Sequence, residues 1–413
     1  MNGLKRVCIA LSACGILLLP QIALGAGFQE TTQSAVSVGM ANVGVANPDE
    51  PNSSYYNPAA MSFRDGLNTT TGVALIAPIM EYEPLTGGPT VDNERAVFAL
   101  PHLHLDYAIT DDLSAGVGMN APYGLTVDWP DNWVGRDVNE FVQIASLDLN
   151  PNISYEIADT GLSVAGGVQI RYSWVELQRD VQLAEDRFIQ SELGGDGFGV
   201  GGVAALMYRP DEHLTIGAQY RSRVNVEYTD ARVHFEGEEN TPFYRTFRDN
   251  PGTADITFPD AIAAGVSYRW QRLMAEFDVG YTVWDTFDVI EVDLDTGGDE
   301  EALSEFELEQ RWENAFVFRL GGQYEVTPQI PVRLGVAYDI TPAPDETVNA
   351  TLPDNNRMVG SIGGGYKWDQ YSVDAAYELV GVDEREIRNE IGPAGNYNTV
   401  GHVFGLNFSY GYE

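Results

Sequence analysis

Cysteine is almost absent from this sequence. Cys8 and Cys14 both lie within the first 25 residues, where two basic residues precede an apolar run and small residues follow it at Ala23 and Gly25. This arrangement is typical of a cleavable secretory signal peptide, which we predict to span residues 1–25. Cleavage would remove both thiols, so disulfides, thiolate metal sites and a cysteine nucleophile are excluded from the mature chain.

Positive charge is also scarce. The chain carries 23 Lys and Arg residues against 61 Asp and Glu residues, which gives a formal net charge of −38 at pH 7. Proteins that bind nucleic acids or anionic membrane surfaces present basic patches to them. We therefore expect no nucleic acid and no anionic membrane surface as a partner.

Long hydrophobic runs and linkers are missing after the signal peptide. No stretch approaches the roughly 18 uninterrupted apolar residues of a membrane-spanning helix, and no segment rich in Pro, Gly and Ser divides the chain. A chain that spans a membrane without such helices has to form a closed barrel, because that is the other structure that satisfies all backbone hydrogen bonds in lipid.

Enzyme and cofactor motifs are lacking too. No serine lies in a Gly-x-Ser-x-Gly pattern, and the five histidines form no His-Glu-x-x-His pattern. His102 and His104 share a strand face and could ligate a metal, but we interpret them as structural or lumenal residues. The glycine spacing at 197–202 resembles a dinucleotide-binding motif, yet it lies within an alternating strand that no helix follows. We expect no enzymatic activity, no cofactor and no metal.

Apolar residues alternate with small or polar residues from about residue 67 to the end of the chain, which indicates β-strands. A soluble β-sandwich also alternates, but its outer face is rich in Lys and Glu. Here the second face is rich in Gly, Ser and Gln, as expected of a barrel lumen, and aromatic residues gather at the ends of the apolar face. The clearest apolar face is that of Val400, His402, Phe404, Leu406, Phe408, Tyr410 and Tyr412.

Counting the alternating segments predicts about fourteen strands, an even number as in bacterial barrels. Short connections alternate with longer acidic ones, which is the asymmetry between periplasmic turns and outer loops. We predict an all-β fold, a transmembrane antiparallel β-barrel over residues 66–413, in the outer membrane of a Gram-negative bacterium. The predicted strands are 67–78, 94–107, 113–122, 141–157, 161–178, 197–209, 213–229, 254–270, 272–289, 309–326, 331–341, 356–369, 370–381 and 399–412.

One segment does not fit the barrel. Residues 26–65 are rich in Gly, Pro and small polar residues and show no sustained alternation. A flexible periplasmic tail is one interpretation, and a plug folded into the lumen is the other. We predict the plug, an N-terminal hatch over residues 26–65.

Several short motifs, in the same order along nearly the whole mature chain, give a family resemblance. The motifs are Ala26-Gly27-Phe28, Asn57-Pro58-Ala59, Asn120-Ala121-Pro122-Tyr123-Gly124-Leu125, Phe258-Pro259-Asp260, Leu352-Pro353-Asp354 with Arg357, and Gly363-Gly364-Gly365-Tyr366. In these motifs the chain resembles the FadL-type long-chain fatty-acid transporters of the outer membrane, a family that includes aromatic-hydrocarbon channels.

The resemblance implies roles for three groups of residues. Ala26, Gly27 and Phe28 would reach a ligand pocket, and Asn57, Pro58 and Ala59 would seat the hatch against the wall. The third strand of the family bends inward and opens the wall sideways, and the matching residues here are Asn120, Pro122 and Gly124. Both residue types favour such an interruption, because Pro has no N–H to donate to a neighbouring strand and Gly permits a bend.

Charged residues on the predicted lumenal faces could bind a ligand. Alternation places Arg171, Arg221, Arg223 and Arg319 inward, together with several carboxylates that include Asp148, Glu276, Asp278, Asp374 and Glu378. These charges could pair with one another and hold the hatch. Alternatively, Arg171, Arg221 or Arg319 binds the carboxylate of a ligand through two hydrogen bonds.

The function that follows is ligand-gated passive diffusion of a hydrophobic molecule, most simply a long-chain fatty acid, with lateral exit through the wall. Uptake of aromatic hydrocarbons is the alternative within the family, and a general diffusion porin is the alternative outside it. We expect a monomer that contacts outer-membrane lipid and lipopolysaccharide.

Overall fold

The computed structural model describes residues 27–412, with gaps at 95–96, 159, 185–186, 237–248 and 299–302. The predicted signal peptide and Ala26 lie outside the described residues. Within them, no helix is long and apolar enough to cross a membrane.

The described residues form one closed antiparallel sheet of fourteen spans. The strands are β1 (Leu67–Pro84), β2 (Val91–Asp92), β3 (Phe98–Ala108), β4 (Leu113–Asn120), β5 (Gly124–Asp128), β6 (Phe141–Ile157), β7 (Leu162–Ala184), β8 (Arg187–Tyr208), β9 (Leu214–Arg221), β10 (Val224–Glu236), β11 (Asn250–Phe258), β12 (Ala261–Trp270), β13 (Leu273–Thr282), β14 (Val289–Leu294), β15 (Glu305–Glu309), β16 (Ala315–Thr327), β17 (Ile330–Asp339), β18 (Arg357–Trp368), β19 (Tyr371–Val382), β20 (Arg385–Ile387) and β21 (Gly395–Tyr412). Five spans are broken into two strands each, namely β4 with β5, β9 with β10, β11 with β12, β13 with β14, and β15 with β16, while β2 and β20 are short additions.

The barrel closes where the first and last spans meet. β1 and β21 pair antiparallel along their whole length, from Leu67 opposite Tyr412 to Pro84 opposite Gly395. The start of β1 and the end of β21 therefore lie at the same end of the barrel. This end also carries the short turns, and we call it the inner end; the opposite end is the outer end. The all-β barrel predicted from the alternation is confirmed.

Side chains alternate between a lipid face and a lumenal face as predicted. In β21, Phe404, Leu406 and Phe408 are exposed, whereas Gly405 and Asn407 are buried toward the lumen. Aromatic residues such as Tyr268 and Trp270 are exposed near the inner end, where aromatic girdles lie in barrels of this kind.

The structure corrects the strand bounds at the outer end. β7 continues to Ala184 and β8 begins at Arg187, whereas alternation suggested an end at 178 and a start at 197. The backbone ladder continues above the hydrocarbon layer, where neither face meets lipid and an apolar face is no longer required. Sequence alternation therefore reports the part of a strand that lies in the membrane.

The break between β9 and β10 also corrects one side-chain direction. Lumenal positions are odd-numbered in β9 and even-numbered from Val224 to Tyr228 in β10, so the alternation changes phase at Ser222 and Arg223. Arg223 was expected to point inward, but its side chain is 57% exposed and pairs with Asp260 at 2.7 Å.

Residues 27–63 lie inside the barrel. They form two short helices, α1 (Ala35–Val38) and α2 (Ser53–Tyr56), and a 3₁₀ helix, Pro58–Phe63. The side chain of Ser34 caps α1 by accepting from the backbone N–H of Val36, a common N-cap arrangement. We call these residues the hatch, and its first residues, 27–33, the strap.

Lumenal glycines let the hatch backbone approach the wall. A Cβ on Gly335 of β17 would lie 2.1 Å from the carbonyl carbon of Met40, and one on Gly217 of β9 would lie 2.0 Å from the carbonyl oxygen of Val45. Both distances are far below van der Waals contact, so these positions admit no side chain while the hatch stays in place. The small lumenal face predicted from the sequence thus accommodates the hatch backbone.

A candidate ligand pocket above the hatch

A cavity of about 500 Å³ opens above the hatch, between the outer ends of the strands. Its wall is largely apolar, with residues such as Leu125 from β5, Leu193 from β8 and Ile256 from β11. Phe28 of the strap also lines it. Pockets that bind small molecules typically have volumes of about 300–1,000 Å³ and predominantly apolar walls. This cavity therefore has the size and character of a site for a hydrophobic ligand.

Phe28 lies at the centre of an aromatic cluster beneath the cavity. Its ring centroid is 5.0–6.1 Å from those of five other rings, in tilted or edge-to-face contacts. Such pairs add to the stabilisation that burial itself provides. Phe28, Phe287 and Trp312 of this cluster line the cavity. The five partners of Phe28 are Tyr123, Phe258, Trp284, Phe287 and Trp312.

Two charged residues fix the residue before Phe28. The backbone N–H of Gly27 donates to Asp354 Oδ2 at 3.2 Å, and Arg357 donates to the carbonyl oxygen of Gly27 at 3.2 Å. Asp354 and Arg357 also pair with each other. Gly27 has φ +62°, and a Cβ there would lie 2.3 Å from the ring of Trp312. The position therefore requires glycine, and the Leu352-Pro353-Asp354 motif holds the strap.

The strap is hydrogen-bonded to the bend in the third span. The backbone N–H of Glu30 donates to the carbonyl of Pro122 at 2.7 Å, and the N–H of Gly124 donates to the carbonyl of Phe28 at 3.0 Å. The side chain of Gln33 exchanges two further hydrogen bonds with the backbone of Ala121. The strap thus provides hydrogen bonds that a neighbouring strand would otherwise make.

The bend interrupts the sheet. The ladder between β3 and β4 ends at Leu103 opposite Met119, and β5 then pairs with β6. Further out, the N–H of Glu94 donates to the carbonyl of Asp128 at 2.7 Å. We call the interval between these two contacts the lateral window. Its edges are apolar and include Phe98, Leu100, Leu125 and Val127.

The three predicted residues of the opening are all buried at this bend. Asn120, at the end of β4, accepts a hydrogen bond of 2.7 Å from the side chain of Asn52 in the hatch. Pro122 and Gly124 carry the backbone hydrogen bonds to the strap described above. Opening the window in this structure would therefore require the strap to move.

The Asn57-Pro58-Ala59 motif seats the hatch against the wall. The Asn57 side chain donates to the carbonyl of Val45 at 2.7 Å and to that of Leu206 in β8 at 3.0 Å. Its Oδ1 accepts from the N–H of Ala59 at 3.0 Å, so it caps the 3₁₀ helix that begins with Pro58. One amide therefore joins two parts of the hatch to the barrel.

The three arginines proposed for ligand binding lie at or below the aromatic cluster. Arg171 makes two hydrogen bonds of 2.8 Å to Asp148 and stacks 4.5 Å from the ring of Tyr123. Arg221 donates to two carbonyls of the hatch, those of Ser54 and Tyr55.

Arg319 lies on the other side of the hatch. It is 3.4 Å from Thr31 Oγ1 and lines a small cavity of about 20 Å³ together with Glu378. Arg171, Arg221 and Arg319 therefore contact carboxylates or the hatch in this structure, and their contact with a ligand stays a prediction.

A different arginine, Arg179, lines the large cavity. It lies on β7, and the carboxylates of Asp137, Glu176, Glu307 and Glu309 line the same cavity. Arg179 was not predicted as a site residue because alternation in the sequence ends this strand at residue 178. The backbone hydrogen bonds of β7 continue beyond residue 178 and place Arg179 within the strand. Alternation in the sequence does not show this continuation.

The side chains of His102 and His104 lie among the contacts between the hatch and the barrel wall. His102 Nε2 is 2.8 Å from Asn407 Oδ1, and His104 Nε2 is 2.7 Å from Asp106 Oδ1 and 3.3 Å from Ser53 Oγ. In the described part of the chain, no group of three or more His, Cys, Asp or Glu residues could hold a metal ion.

The family model of the outer membrane protein transport protein family (OMPP1/FadL/TodX) matches residues 16–412. The chain belongs to this family. Members are outer-membrane channels for hydrophobic compounds, not enzymes, and the predicted location in the outer membrane is confirmed. The inner end of the barrel is therefore the periplasmic end.

Two relatives align with this chain along nearly its full length. It is 23% identical to the outer membrane protein P1 of Haemophilus influenzae over 474 residues, covering 99% of this chain and 100% of that protein. It is 22% identical to the long-chain fatty acid transport protein of Escherichia coli K12, with 97% of each chain covered.

Solved structures show the same fold. A FadL homologue from Pseudomonas aeruginosa superposes with a TM-score of 0.83 at 21% identity, covering 94% of this chain and 100% of that one. The toluene transporter TbuX of Ralstonia pickettii superposes with a TM-score of 0.71 at 16% identity, covering 92% and 98%. These likenesses support the barrel and leave the ligand open.

Proposed function

We propose that this family member takes up a long-chain fatty acid by passive diffusion, in which the ligand displaces Phe28 and leaves through the lateral window. The observation that carries the proposal is the double role of the strap. Phe28 lines the cavity with its side chain, and its carbonyl accepts from Gly124 at the bend. A ligand that moves Phe28 therefore also breaks a hydrogen bond at the window.

The size of the cavity favours a long aliphatic ligand. Burial of each methylene group contributes about 0.8 kcal/mol, and a single aromatic ring would leave much of a cavity of about 500 Å³ unfilled. A long acyl chain would gain most from its apolar wall.

Arg179 is our candidate for the group that binds the ligand's carboxylate. A guanidinium can donate two parallel hydrogen bonds to a carboxylate, and Arg179 lines the same cavity as the apolar residues named above. Arg171, Arg221 and Arg319 could bind the carboxylate later, once the strap has moved.

An uncharged hydrocarbon is a second candidate, and the charges around the cavity favour it. Among the described residues, Asp137, Glu176, Glu307 and Glu309 line the cavity together with one cation, Arg179. Four carboxylates repel an anionic ligand unless Arg179 offsets them. An aromatic or aliphatic hydrocarbon meets no such repulsion.

Direct binding to the detergent-purified protein distinguishes the candidates. Oleate, oleyl alcohol and toluene would be titrated against the wild type, Arg179→Gln and the control Arg388→Gln, whose arginine is exposed and pairs with Glu386. We expect oleate to bind most tightly, and Arg179→Gln to weaken oleate about tenfold while leaving oleyl alcohol unchanged, as loss of one charged hydrogen-bonded contact predicts. Preferential binding of toluene or the alcohol would instead support the uncharged ligand.

A further inference from the structure

Two carboxyl groups on β13 hold one turn of the hatch. Glu276 and Asp278 are two residues apart on the lumenal face, and each is about 1% exposed. Asp278 Oδ2 accepts from the N–H groups of Gly44 and Val45 at 2.9 and 3.2 Å. Glu276 Oε1 accepts from the N–H of Ala46 at 2.7 Å. Three consecutive backbone donors therefore depend on this pair.

The carbonyl groups of the same turn are bound as well. Ser267 Oγ on β12 donates to the carbonyl of Ala46 at 2.7 Å, and the Asn57 side chain donates to that of Val45 at 2.7 Å. The turn is thus bound to the wall much as an extra strand would be, with side chains in place of a backbone ladder. Losing the carboxyl pair would leave buried N–H groups without acceptors, which is unfavourable.

The other oxygen of each carboxyl group accepts from no N–H group or hydroxyl group of the described residues. These atoms are Glu276 Oε2 and Asp278 Oδ1. The cation that faces the pair from the neighbouring strand is Arg319 on β16, opposite Asp278 in the register. On β12 the opposite residues, Ser267 and Gly265, carry no charge.

Other charged groups of the hatch do not compensate a second negative charge. Glu50 is a buried carboxyl group that accepts from Ser37 Oγ and the N–H of Asn52, and its charge would add repulsion. Arg269, further along β12, pairs with Asp49. One cation therefore faces two buried carboxyl groups.

We propose that Glu276 and Asp278 share one proton, with Glu276 Oε2 donating to Asp278 Oδ1, and that this proton keeps the hatch turn 44–46 bound. When two neighbouring carboxyl groups are buried together, ionising both costs much more free energy than ionising one. Asp278 accepts two N–H groups and faces Arg319, so it keeps the negative charge, whereas Glu276 accepts one and carries the proton.

The shared proton makes the hatch a proton-dependent closure, whichever hydrophobic ligand the channel carries. Removing the shared proton places a second charge in the lumen, where Arg319 alone faces it. Contact with water would then stabilise the two charged carboxylates, and water can reach them only if the turn 44–46 leaves the wall. Alkaline pH should therefore loosen the hatch while the barrel stays closed through its own ladder.

Infrared spectroscopy of the purified protein tests the shared proton. A protonated carboxyl group has a carbonyl stretch that a carboxylate lacks, so we expect Glu276→Gln and Asp278→Asn each to change the carboxylic-acid band at neutral pH. The control is Glu325→Gln on β16, whose carboxylate lies near Arg269 and should leave the band unchanged. An acid band identical to that of the wild type in both lumenal variants would overturn the proposal.

Solute leakage into proteoliposomes tests the closure. We expect leakage of a small polar solute through the wild type to rise several-fold as the pH is raised from about 7 to about 10, and to stay low in Glu276→Gln. The Gln side chain still accepts from Ala46 and can donate to Asp278. Folding of each variant is checked by heat-modifiable migration, and Asp278→Asn serves if Glu276→Gln does not fold. Equal leakage of wild type and variant at every pH would overturn the proton-dependent closure.

Discussion

Glu30 and Pro122 are joined by a backbone hydrogen bond of 2.7 Å, between a residue of the hatch and the residue that bends the third span. Proline has no N–H to offer a neighbouring strand, but its carbonyl still needs a donor when it is buried. The strap supplies that donor. The backbone of the hatch is therefore joined directly to the edge of the lateral window.

Removing the first part of the hatch should leave the barrel folded. Deleting residues 26–47 removes Phe28 and the turn 44–46 but none of the β1–β21 pairing that closes the sheet. We expect a heat-modifiable barrel whose ligand affinity collapses and whose leakage of small polar solutes rises. Loss of the folded barrel would show that the segment is structural instead.

A single methyl group should dislodge the hatch. In Gly335→Ala, the new Cβ would lie 2.1 Å from the carbonyl carbon of Met40, and overpacking of this kind costs about 1–3 kcal/mol. We expect higher solute leakage and a lower melting temperature. The matched control is Gly360→Ala on β18, where a Cβ would meet nothing within 4 Å. Equal behaviour of the two variants would contradict the tight seating of the hatch.

Salt should stabilise this acidic chain. Its net charge is −38, and carboxylates such as Asp137, Glu176, Glu307 and Glu309 lie around one cavity. Mutual repulsion of exposed carboxylates is screened by salt and offset by divalent cations. We expect the melting temperature to rise with added NaCl or Ca²⁺. A constant melting temperature in both titrations would show that this repulsion does not limit stability.

The sequence predicted the barrel because alternation is a local signal. Each span shows its lipid face and its lumenal face within about ten residues, and lipid requires that contrast. The outer parts of β7 and β8 were missed because that requirement ends above the membrane. Arg179 lies in this missed part, which is why a cavity residue escaped the analysis.

The site itself depends on contacts between distant parts of the chain. Gly27 binds Asp354, which is 327 positions away, and Ala46 binds Glu276, which is 230 positions away. The motifs around Pro122, Phe258 and Asp354 drew attention in the sequence through family resemblance. Their meeting around the strap follows from barrel closure, which no local pattern specifies.

We propose that the ligand leaves through the lateral window between β3 and β5. Replacing Pro122 and Gly124 by Val restores an N–H at position 122 and adds β-branched side chains that favour a regular strand. The double variant should fold and bind ligand nearly as the wild type does, because its cavity wall is otherwise unchanged.

Uptake of labelled oleate by cells that carry equal surface amounts of wild type and Pro122→Val/Gly124→Val is the most direct measurement. The account predicts that uptake by the double variant falls to the level of cells without the channel, while oleate binding to the purified variant stays near normal. Uptake at the wild-type rate would contradict the lateral exit.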